Sequence, residues 1–545
     1  MSHKFKYIAI LFGALIFINF LASNFYQRFD LTDDKRYSIA PATKKIIQNV
    51  KEATIIKVYL TGDFPADFKR LEIETRWLLE ELKSYNKNIF FKFIDPTDIR
   101  EKLLKKGIKP TTLQIQQAGK REELIIFPWA TISYKNKSIP VSLLKDIYTY
   151  SQNEQLESSI QNLEYAFADA LHQITNQKSK KIAILKGNGQ LDDIYIADFL
   201  KKLGQYYLLA PFTLDSVQKN PTGTLKKLQD FDLLISAKPS IKFNEQEKFV
   251  LDQYAMQGGK SLWLVDQVQV AHDSLRKNGS SIAYPVDLGL TDFFFNYGVR
   301  INSNLVSDKF ASQITLSTGN IGNTPQFDRF NWELYPLTIS KNNHEINRHL
   351  EMVRFQYANS IDTLKNKVKK TVLLQSSSES KLVATPYEID LNTILNNKES
   401  SSYSKKEVPL AVLLEGSFKS AFAGRVKPFD IEKIEEVSIP TKMIVISDGD
   451  LIANEVSRGK PLALGLDKWS NQQFGNKEFL LNCVNYLVDD TGLINLRLKN
   501  ITIDFLDKKK AYEETTKWQF INVLLPLLLL FCFSIAFRFY RKSRV

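Results

Sequence analysis

Apolar and polar positions along the chain mark two long uncharged segments, one near each end. Residues 7–27 read YIAILFGALIFINFLASNFYQ and residues 518–537 read WQFINVLLPLLLLFCFSIAF, without a charged side chain in either. A helix of about 20 apolar residues can cross a bilayer. The pattern therefore predicts an N-terminal transmembrane anchor, residues 1–27, and a C-terminal transmembrane helix with a basic cytoplasmic tail, residues 518–545.

A cleaved signal peptide is the alternative for the first segment. A cut after Ala22 would put Phe20 three residues before it, where signal peptides carry a small residue, so we favour an uncleaved anchor. Basic residues lie beyond both apolar segments. For a bacterial chain, the positive-inside rule then predicts an inner (plasma) membrane protein with both termini cytoplasmic and its central domains periplasmic.

The region after the first anchor begins with a juxtamembrane segment, residues 28–52, and continues as an α/β pattern over residues 53–178. Its strands and amphipathic helices follow the order β-α-β-α-β-β-α, which resembles the thioredoxin-like arrangement. The loop TGDFPADF after the first strand contains no cysteine, so it cannot carry out disulfide exchange. The sequence predicts a thioredoxin-like α/β domain that serves as a binding or spacer module.

A second α/β pattern covers residues 179–500. Apolar strands such as KKIAIL, FDLLISA and KSLWLVD alternate with helical segments, and the alternation resumes with PLAVLLEG and KMIVISDGD. This pattern predicts a mainly parallel sheet with helices on both faces. Polar runs, including STGNIGNTPQ, predict an irregular insertion at about 300–407. Residues 501–517 are predicted to be a linker.

Composition narrows the function classes. The chain has 545 residues, a net charge of +13 and two cysteines. Six basic residues lie at the extreme ends, which leaves a mild excess of seven over the middle and no dense basic stripe, so we expect no nucleic-acid partner. Cys483 lies in a helical pattern and Cys532 in the apolar C-terminal segment, so a structural disulfide between them is not expected.

Common nucleotide and hydrolase motifs are missing from the sequence. MQGGKS at residues 256–261 lacks the earlier glycine of a Walker A loop and ends a helix instead of opening one, so it is interpreted as a helix C-cap. No GxSxG elbow and no HExxH motif occur. His344 and His349 are five residues apart, off a common helical face, and are expected to be solvated. We expect no cofactor, no metal site and no enzymatic activity.

Three strand ends carry the remaining candidate ligand residues. Gly187, Asn188, Gly189 and Gln190 follow the first strand of the second domain, where doubly wound folds bind ligands, although a tight turn is the favoured interpretation. Asp448 and Asp450 follow a later strand and could form either a cation site or an ordinary turn. Glu415 lies near the end of PLAVLLEG. These seven residues define a possible ligand cleft, and the three acids are the candidates if the domain is a hydrolase.

The segment RFDLTDDKRYSIAPATKKII directly follows the first anchor. Ser38 is predicted to N-cap a helix whose first turn contains Pro41. Mixed charges near the membrane suit pairing with a neighbouring protein, and a solvated collar is the alternative. The candidate docking residues are Arg28, Asp30, Asp33, Asp34, Lys35 and Arg36.

These segments, in order and together with the two-anchor layout, resemble the gliding-motility ABC-transporter auxiliary (substrate-binding-like) proteins of the GldG family. The segments that carry the resemblance include RFDLTDDKRYSIAPATKKII, YAMQGGKSLWLVD, YGVRINSNLVSD, PLAVLLEGSFKSAF, VISDGDLIANEV and NKEFLLNCVNYLVDD. The resemblance implies a second domain similar to class I glutamine-amidotransferase relatives without their active site. The chain departs from the family at Gly187–Gln190, where relatives often carry Gly-His-Gly-Glu, and chemistry that depends on that His and Glu is in question here.

The resemblance also implies partners: an ABC permease subunit in the membrane and, through it, a cytoplasmic ATPase, with membrane lipid around both anchors. The function expected is that of a non-catalytic accessory or substrate-recognition subunit linked to gliding motility. The resemblance does not specify the substrate, which could be a saccharide or another small molecule. The alternatives are a membrane-anchored hydrolase or carbohydrate-active enzyme on the same α/β domain, and a scaffold that couples transport to a surface machine.

Overall fold

The computed structural model describes residues 38–498, 508–542 and part of residues 7–19, with short gaps at 63, 118–119, 146–150, 341, 396–402, 404–405, 432 and 490. The fold is mixed α/β, with many small sheets around one large sheet. The chain divides into two compact units, residues 1–499 and 500–545.

The N-terminal part of the first unit is built on a four-stranded sheet of order β2-β1-β5-β6, in which β1 and β2 are parallel and the other pairs antiparallel. β3 and β4 form a separate hairpin. The elements are α1 (Pro41–Gln48), β1 (Thr54–Val58), α2 (Ala66–Tyr85), β2 (Ile89–Phe93), α3 (Arg100–Lys105), β3 (Thr111–Gln117), β4 (Lys120–Ile126), β5 (Trp129–Tyr134), β6 (Lys137–Ser142) and α4 (Gln152–Thr175).

The start of α1 differs from the prediction. Pro41 occupies the first turn as expected, but the N-cap is Ala40 and not Ser38, and no side chain caps the helix. A carboxylate from α4 replaces a local cap, because Glu164 Oε1 accepts from the backbone N of Ala40 at 2.6 Å and from Thr43 Oγ1 at 2.7 Å. A partner 124 residues away in the sequence cannot be inferred from local capping patterns.

The second α/β part contains a seven-stranded sheet of order β19-β22-β23-β10-β9-β7-β8. The strands from β23 to β8 are parallel, whereas β22 runs antiparallel to both of its neighbours. The elements of this sheet and its helices are β7 (Lys181–Lys186), α5 (Asp193–Leu203), β8 (Leu208–Thr213), α6 (Pro221–Gln229), β9 (Leu233–Ala237), α7 (Glu245–Met256), β10 (Lys260–Leu264), β19 (Lys369–Gln375), β22 (Pro409–Gly416), β23 (Thr441–Ile446) and α11 (Asn476–Val488).

Both faces of this sheet are buried, as the apolar strands predicted. Along β7, Ile182 and Ile184 belong to a core with α5 and α11, whereas Ala183 and Leu185 belong to a core with α6 and α7. This alternation follows from the two-residue period of a strand. α7 ends at Met256, and Gly258 follows with a φ of 93°. The interpretation of MQGGKS as a helix end is therefore confirmed.

The region between β10 and β22 contains small sheets. The prediction of a loop at STGNIGNTPQ is wrong. This segment forms the end of a hairpin between β15 and β16, which turns at Gly322 with a φ of 61°. The elements are β11 (Val268–Val270), α8 (His272–Asn278), β12 (Ser280–Pro285), α9 (Thr291–Tyr297), β13 (Val299–Ile301), β14 (Asn304–Asp308), β15 (Ala311–Ile321), β16 (Thr324–Thr338), β17 (Val353–Arg354), β18 (Ile361–Thr363), β20 (Ser380–Ala384), β21 (Tyr387–Asp390) and α10 (Asn392–Leu395). Four two-residue strands after β23 complete the fold: β24 (Val456–Ser457), β25 (Lys460–Pro461), β26 (Leu466–Asp467) and β27 (Gln472–Gln473).

A buried charge network joins the two α/β parts. Glu478 of α11 accepts from Arg497 Nη2 at 3.0 Å and from Lys145 Nζ at 2.5 Å. Burial opposes the charge of Glu478, but these two cations outweigh it and lower its pKa to about 2. The guanidinium of Arg497 is fully buried and lies 5.2 Å from the ring centroid of Tyr165 on α4. Because α4 and α11 contribute to one network, the two parts are held together by charge as well as by apolar packing.

The solvated positions expected for two histidines are wrong. His349 lies beside this network, with Nδ1 3.0 Å from Ser158 Oγ, and burial together with the nearby Arg497 and Lys145 lowers its pKa to about 3. His344 packs its ring 4.9 Å from that of Tyr486. Spacing along a helix could not reveal either environment, because neither residue lies in a helix.

The second unit contains α12 (Lys508–Glu513) and α13 (Thr515–Lys542). Within the described residues, one helix, Thr515–Tyr540, is long and apolar enough to cross a membrane by length and composition. Of the predicted N-terminal span, residues 7, 11–15, 17 and 19 are described and are helical.

Candidate functional site at the carboxyl edge of the central sheet

Four parallel strands of the central sheet bring their carboxyl ends to one edge. The segments that leave β7, β9, β10 and β23 begin at residues 187, 238, 265 and 447. The chain passes from β7 to β8 on one side and then returns to β9 on the other, so the topological switch point lies between β7 and β9. Ligands of open α/β sheets bind outside the carboxyl ends of the strands at such a point.

At this switch point the predicted glycine loop packs against the segment after β9. The Asn188 carbonyl accepts from the backbone N–H groups of Ser240 and Ile241, both at 3.0 Å, and Ser240 Oγ donates to the Gly189 carbonyl at 2.9 Å. A Cβ on Gly189, whose φ is 69°, would overlap Ser240 Oγ. The chain's own hydrogen bonds therefore occupy the crevice between β7 and β9.

The side chains of this loop are also engaged. Asn188 Nδ2 donates to Glu247 Oε2 at 3.1 Å, and the Gln190 side-chain oxygen accepts from the backbone N of Asn188 at 2.9 Å. Asn188 Oδ1 and Gln190 Nε2 are buried without a hydrogen-bond partner in the described structure. The loop is thus a tight, largely self-satisfied turn, at a position for which the sequence suggested either a tight turn or a ligand contact.

Two strands farther along the edge, an ion pair replaces the cation site that Asp448 and Asp450 could have formed. Lys238 Nζ lies 2.5 Å from Asp450 Oδ2 and 3.5 Å from Asp266 Oδ2. Lys238 has a φ of 53°, a left-handed conformation that a non-glycine residue rarely adopts. The Lys238 ammonium group therefore already pairs with Asp450 and Asp266 at this sheet edge.

Backbone amides hold the other acids. Asp448 accepts from the backbone N of Gln356 at 2.6 Å and from that of Asp450 at 2.8 Å. Asp266 accepts from the backbone N of Gly449. A Cβ on Gly449 would overlap the Lys238 side chain, so glycine is required for this close approach.

The three carboxyl groups differ in protonation because their surroundings differ. Burial raises the pKa of Asp266 to about 6, against the attraction of Lys238. Burial and the two neighbouring carboxylates raise the pKa of Asp448 well above its usual range. For Asp450, burial is outweighed by Lys238 and His272, which lower its pKa to about 2. Asp450 and Asp266 raise the pKa of Lys238, although burial opposes its charge. This lysine therefore stays charged and is a poor proton donor or acceptor.

A cavity of about 90 Å³ opens beside this cluster, lined among others by Lys238, Asp266, His272, Tyr357 and Asp450. His272 Nε2 lies 3.9 Å from Asp450 Oδ2, and its ring packs edge-on against Tyr357 at 5.1 Å. Pockets for small-molecule ligands are usually about 300–1,000 Å³. The cavity therefore accommodates a few solvent molecules and not a substrate of ordinary size.

In the described part of the chain, no group of three His, Cys, Asp or Glu residues could hold a metal ion.

Glu415 is not brought together with the aspartates. It pairs in register with Lys442, which is near the start of β23, whereas Asp448 and Asp450 follow the end of that strand. Its carboxylate accepts from Tyr486 at 2.7 Å and lies 3.0 Å from Lys369 Nζ. The separation arises because β22 is antiparallel to β23, which places the end of β22 at the opposite sheet edge.

The six candidate docking residues of the juxtamembrane segment, Arg28, Asp30, Asp33, Asp34, Lys35 and Arg36, lie outside the described residues.

Sequence reasoning missed four residues of the cluster: Lys238, Asp266, His272 and Tyr357. Asp266 carried a usable signal, because it directly follows the apolar strand KSLWLV as Asp448 follows KMIVIS. Lys238 likewise directly follows β9. His272 and Tyr357 come from separate elements and carried no such signal.

Comparisons with known proteins identify the family of the chain. Residues 179–483 match the family model described as an ABC-type uncharacterized transport system. This match covers more than half of the chain, so the protein belongs to that family of ABC transport-system auxiliary proteins. Residues 33–133 match a model described as a domain of unknown function.

Individual relatives are distant. An uncharacterized protein of Borreliella burgdorferi is 21% identical over 546 residues, which cover 97% of this chain and 96% of that protein. Among solved structures, the mmIFT52 N-terminal domain has 14% identity and a TM-score of 0.33, covering 57% of this chain and 98% of that domain. A TM-score this low does not define a shared fold.

Proposed function

We propose that this protein is a non-catalytic accessory or substrate-recognition subunit of an ABC transporter, working with a membrane permease and, through it, a cytoplasmic ATPase. The observation that carries the proposal is the family match over residues 179–483. The carboxyl-edge cluster supports the non-catalytic part, since Lys238 and backbone amides already engage oxygens of Asp450, Asp266 and Asp448. A link to gliding motility follows only from the sequence resemblance.

The proposed membrane arrangement has two anchors, both termini in the cytoplasm, and the α/β domains in the periplasm of the inner membrane. The helix Thr515–Tyr540 supports the C-terminal anchor by its length and composition. Trp518 at its start and Tyr540 at its end are residue types enriched at membrane–water interfaces. Arg538, Arg541 and Lys542 near its end favour a cytoplasmic C-terminus.

The proposed domain organisation follows the sequence boundaries: an anchor at 1–27, a juxtamembrane segment at 28–52, a thioredoxin-like domain at 53–178, an α/β domain at 179–500, a linker at 501–517 and the C-terminal helix from 518. The sheet order β2-β1-β5-β6 with its parallel β1–β2 pair supports the thioredoxin-like proposal. The parallel central sheet covered by helices supports an arrangement related to class I glutamine amidotransferases.

Two alternatives have different support. A hydrolase based on Glu415, Asp448 and Asp450 is disfavoured because Glu415 lies at the other sheet edge. A scaffold without a small-molecule ligand remains compatible with the filled switch point and the small cavity. The possible ligand cleft at Gly187–Gln190, Asp448 and Asp450 is therefore proposed only as a site for a small polar group.

Affinity purification of the tagged chain from its own membranes in mild detergent tests the proposal. We expect a permease and its ATPase to be recovered with the chain. Recovery of the chain alone, under conditions in which that permease and ATPase stay together, would contradict an accessory role.

Reversal of the charges of Asp30 and Arg36 should weaken the association with the permease without unfolding the α/β domains. An unchanged yield of the permease would mean that the juxtamembrane segment is only a solvated collar.

A further inference from the structure

One face of the N-terminal sheet is largely free of helices within the described residues, although Trp129 at one end of that face packs in a cluster with Leu103 of α3. The other face packs against α2, as shown by Arg76 over the ring of Phe93 at 3.9 Å and Lys83 near the ring of Phe91. The uncovered part of this face, called here the open sheet face, consists of the alternate residues Ile55, Lys57, Phe90, Lys92, Ser133, Ser138 and Pro140, with Thr131 buried among them. Its side chains share one face because register fixes the orientation of every residue in a sheet.

Two large apolar side chains lie next to each other on this face. Ile55 pairs in register with Phe90, and they are 44% and 48% exposed. Single exposed apolar residues are normal, but an adjacent pair on an otherwise regular sheet face marks a surface suited to contact with another molecule.

Two lysines lie beside that apolar pair. Lys57 pairs in register with Lys92, and neither forms an ion pair within the described residues. Like charges on directly neighbouring strands destabilise a sheet. The remaining residues of the open sheet face are uncharged, so the face itself supplies no acid to relieve this repulsion.

We infer that the open sheet face is a docking surface for an acidic, amphipathic segment of a partner protein. Apolar side chains of that segment would cover Ile55 and Phe90, and its carboxylates would bind Lys57 and Lys92. Charge complementarity favours an acidic partner, because Lys57 and Lys92 occupy adjacent register positions and form no ion pair within the described residues. A protein fits better than a lipid surface, because Ser133 and Ser138, whose hydroxyl oxygens are 3.3 Å apart, place uncharged polar groups on the same face.

This inference does not depend on the transport role, and its test is separate. The full chain in nanodiscs is titrated with a fluorescent eight-residue peptide of alternating Glu and Leu, and fluorescence anisotropy measures binding. A peptide of alternating Gln and Leu is the neutral control. We expect the acidic peptide to bind more tightly, and the Lys57→Glu/Lys92→Glu double variant to weaken that binding by at least about tenfold.

Matched variants separate docking from a general change in charge or hydrophobicity. Phe90→Ser should likewise weaken binding of the acidic peptide. Lys102→Glu/Lys105→Glu makes the same charge change on α3, and Leu104→Ser is the control for Phe90→Ser because both side chains are exposed. The α3 variants should leave binding unchanged. The double variant at Lys57 and Lys92 keeps two like charges in register, so its stability should match that of the original chain.

Three results would overturn the inference. These are binding that is insensitive to the charge reversal of Lys57 and Lys92, an equal loss of binding in the α3 variants, or no preference for the acidic over the neutral peptide.

A second experiment tests for contact with the membrane. A bimane label is attached to the cysteine of a Ser138→Cys/Cys532→Ser chain, and contact with lipid would appear as quenching of the label by doxyl-labelled lipid in anionic nanodiscs. That outcome would assign the face to lipid and contradict docking of a protein.

Discussion

Lys238 Nζ lies 2.5 Å from Asp450 Oδ2, and this contact joins the segment after β9 to the segment after β23 across the intervening strand β10. Both segments leave the carboxyl edge of the sheet. The ion pair therefore organises the same edge at which related α/β folds bind ligands.

Replacing Lys238 by Met should destabilise the first unit. Asp450 would remain mostly buried, with a side-chain exposure of 16%, beside Asp266 and without its cation. Removing one partner of a fully buried pair costs about 3–5 kcal/mol, and partial exposure reduces our expectation to about 2 kcal/mol. Urea denaturation followed by circular dichroism measures the change.

Lys242→Met is the control, because its partner Asp287 is 68% exposed. Exposed pairs contribute about 0–1 kcal/mol. An equal loss in both variants would show that the Lys238–Asp450 contact is no stronger than a surface pair.

Stability should fall as pH rises from about 4 to about 6, through the titration of Asp266. Its pKa in the folded protein is raised to about 6, above the unfolded value, so the folded state binds more protons in this range. Asp266→Asn should make the pH profile flatter between these values. The measurement is the free energy of unfolding at several pH values. A profile identical to that of the original chain would mean that Asp266 does not titrate in this window.

Gly189→Ala should destabilise the switch-point turn more than an ordinary left-handed glycine would. Gly189 and Gly107 have φ values of 69° and 77°, but only at Gly189 would a Cβ overlap Ser240 Oγ. The conformational cost alone is about 1 kcal/mol, and the overlap should raise the cost to about 2–3 kcal/mol. Equal thermal shifts for Gly189→Ala and Gly107→Ala would show that the turn can relax away from Ser240.

Arg497→Leu should loosen the junction between the two α/β parts. The substitution leaves Glu478 with Lys145 as its remaining cation and leaves the side-chain oxygen of Asn482 without the donor now 2.7 Å away. Loss of one member of a buried charge network costs about 3–5 kcal/mol.

The control for Arg497→Leu is Arg300→Leu, which removes an ion pair with Asp362 whose side chains are 50% and 45% exposed. It should cost less than about 1 kcal/mol. Limited proteolysis near residues 176–180 should accelerate only in Arg497→Leu. Unchanged cleavage there would contradict the role of the network at the junction.

The sequence predicted the architecture better than the site. Periodicity was sufficient for the strands of the central sheet, because burial on both faces leaves continuous apolar runs such as LLISA and KSLWL. It could not give the direction of β22, since an apolar strand looks the same in either orientation, and Glu415 was therefore grouped with acids at the other edge. The lysine that neutralises Asp450 was also hidden, because the two are more than 200 residues apart in the chain.

Native mass spectrometry of the detergent-solubilised complex tests the central claim most directly. We expect one assembly that contains this chain, a membrane permease and an ATPase in fixed stoichiometry. An intact permease–ATPase assembly that never contains the chain, while the chain itself is folded and present in the same membranes, would contradict it.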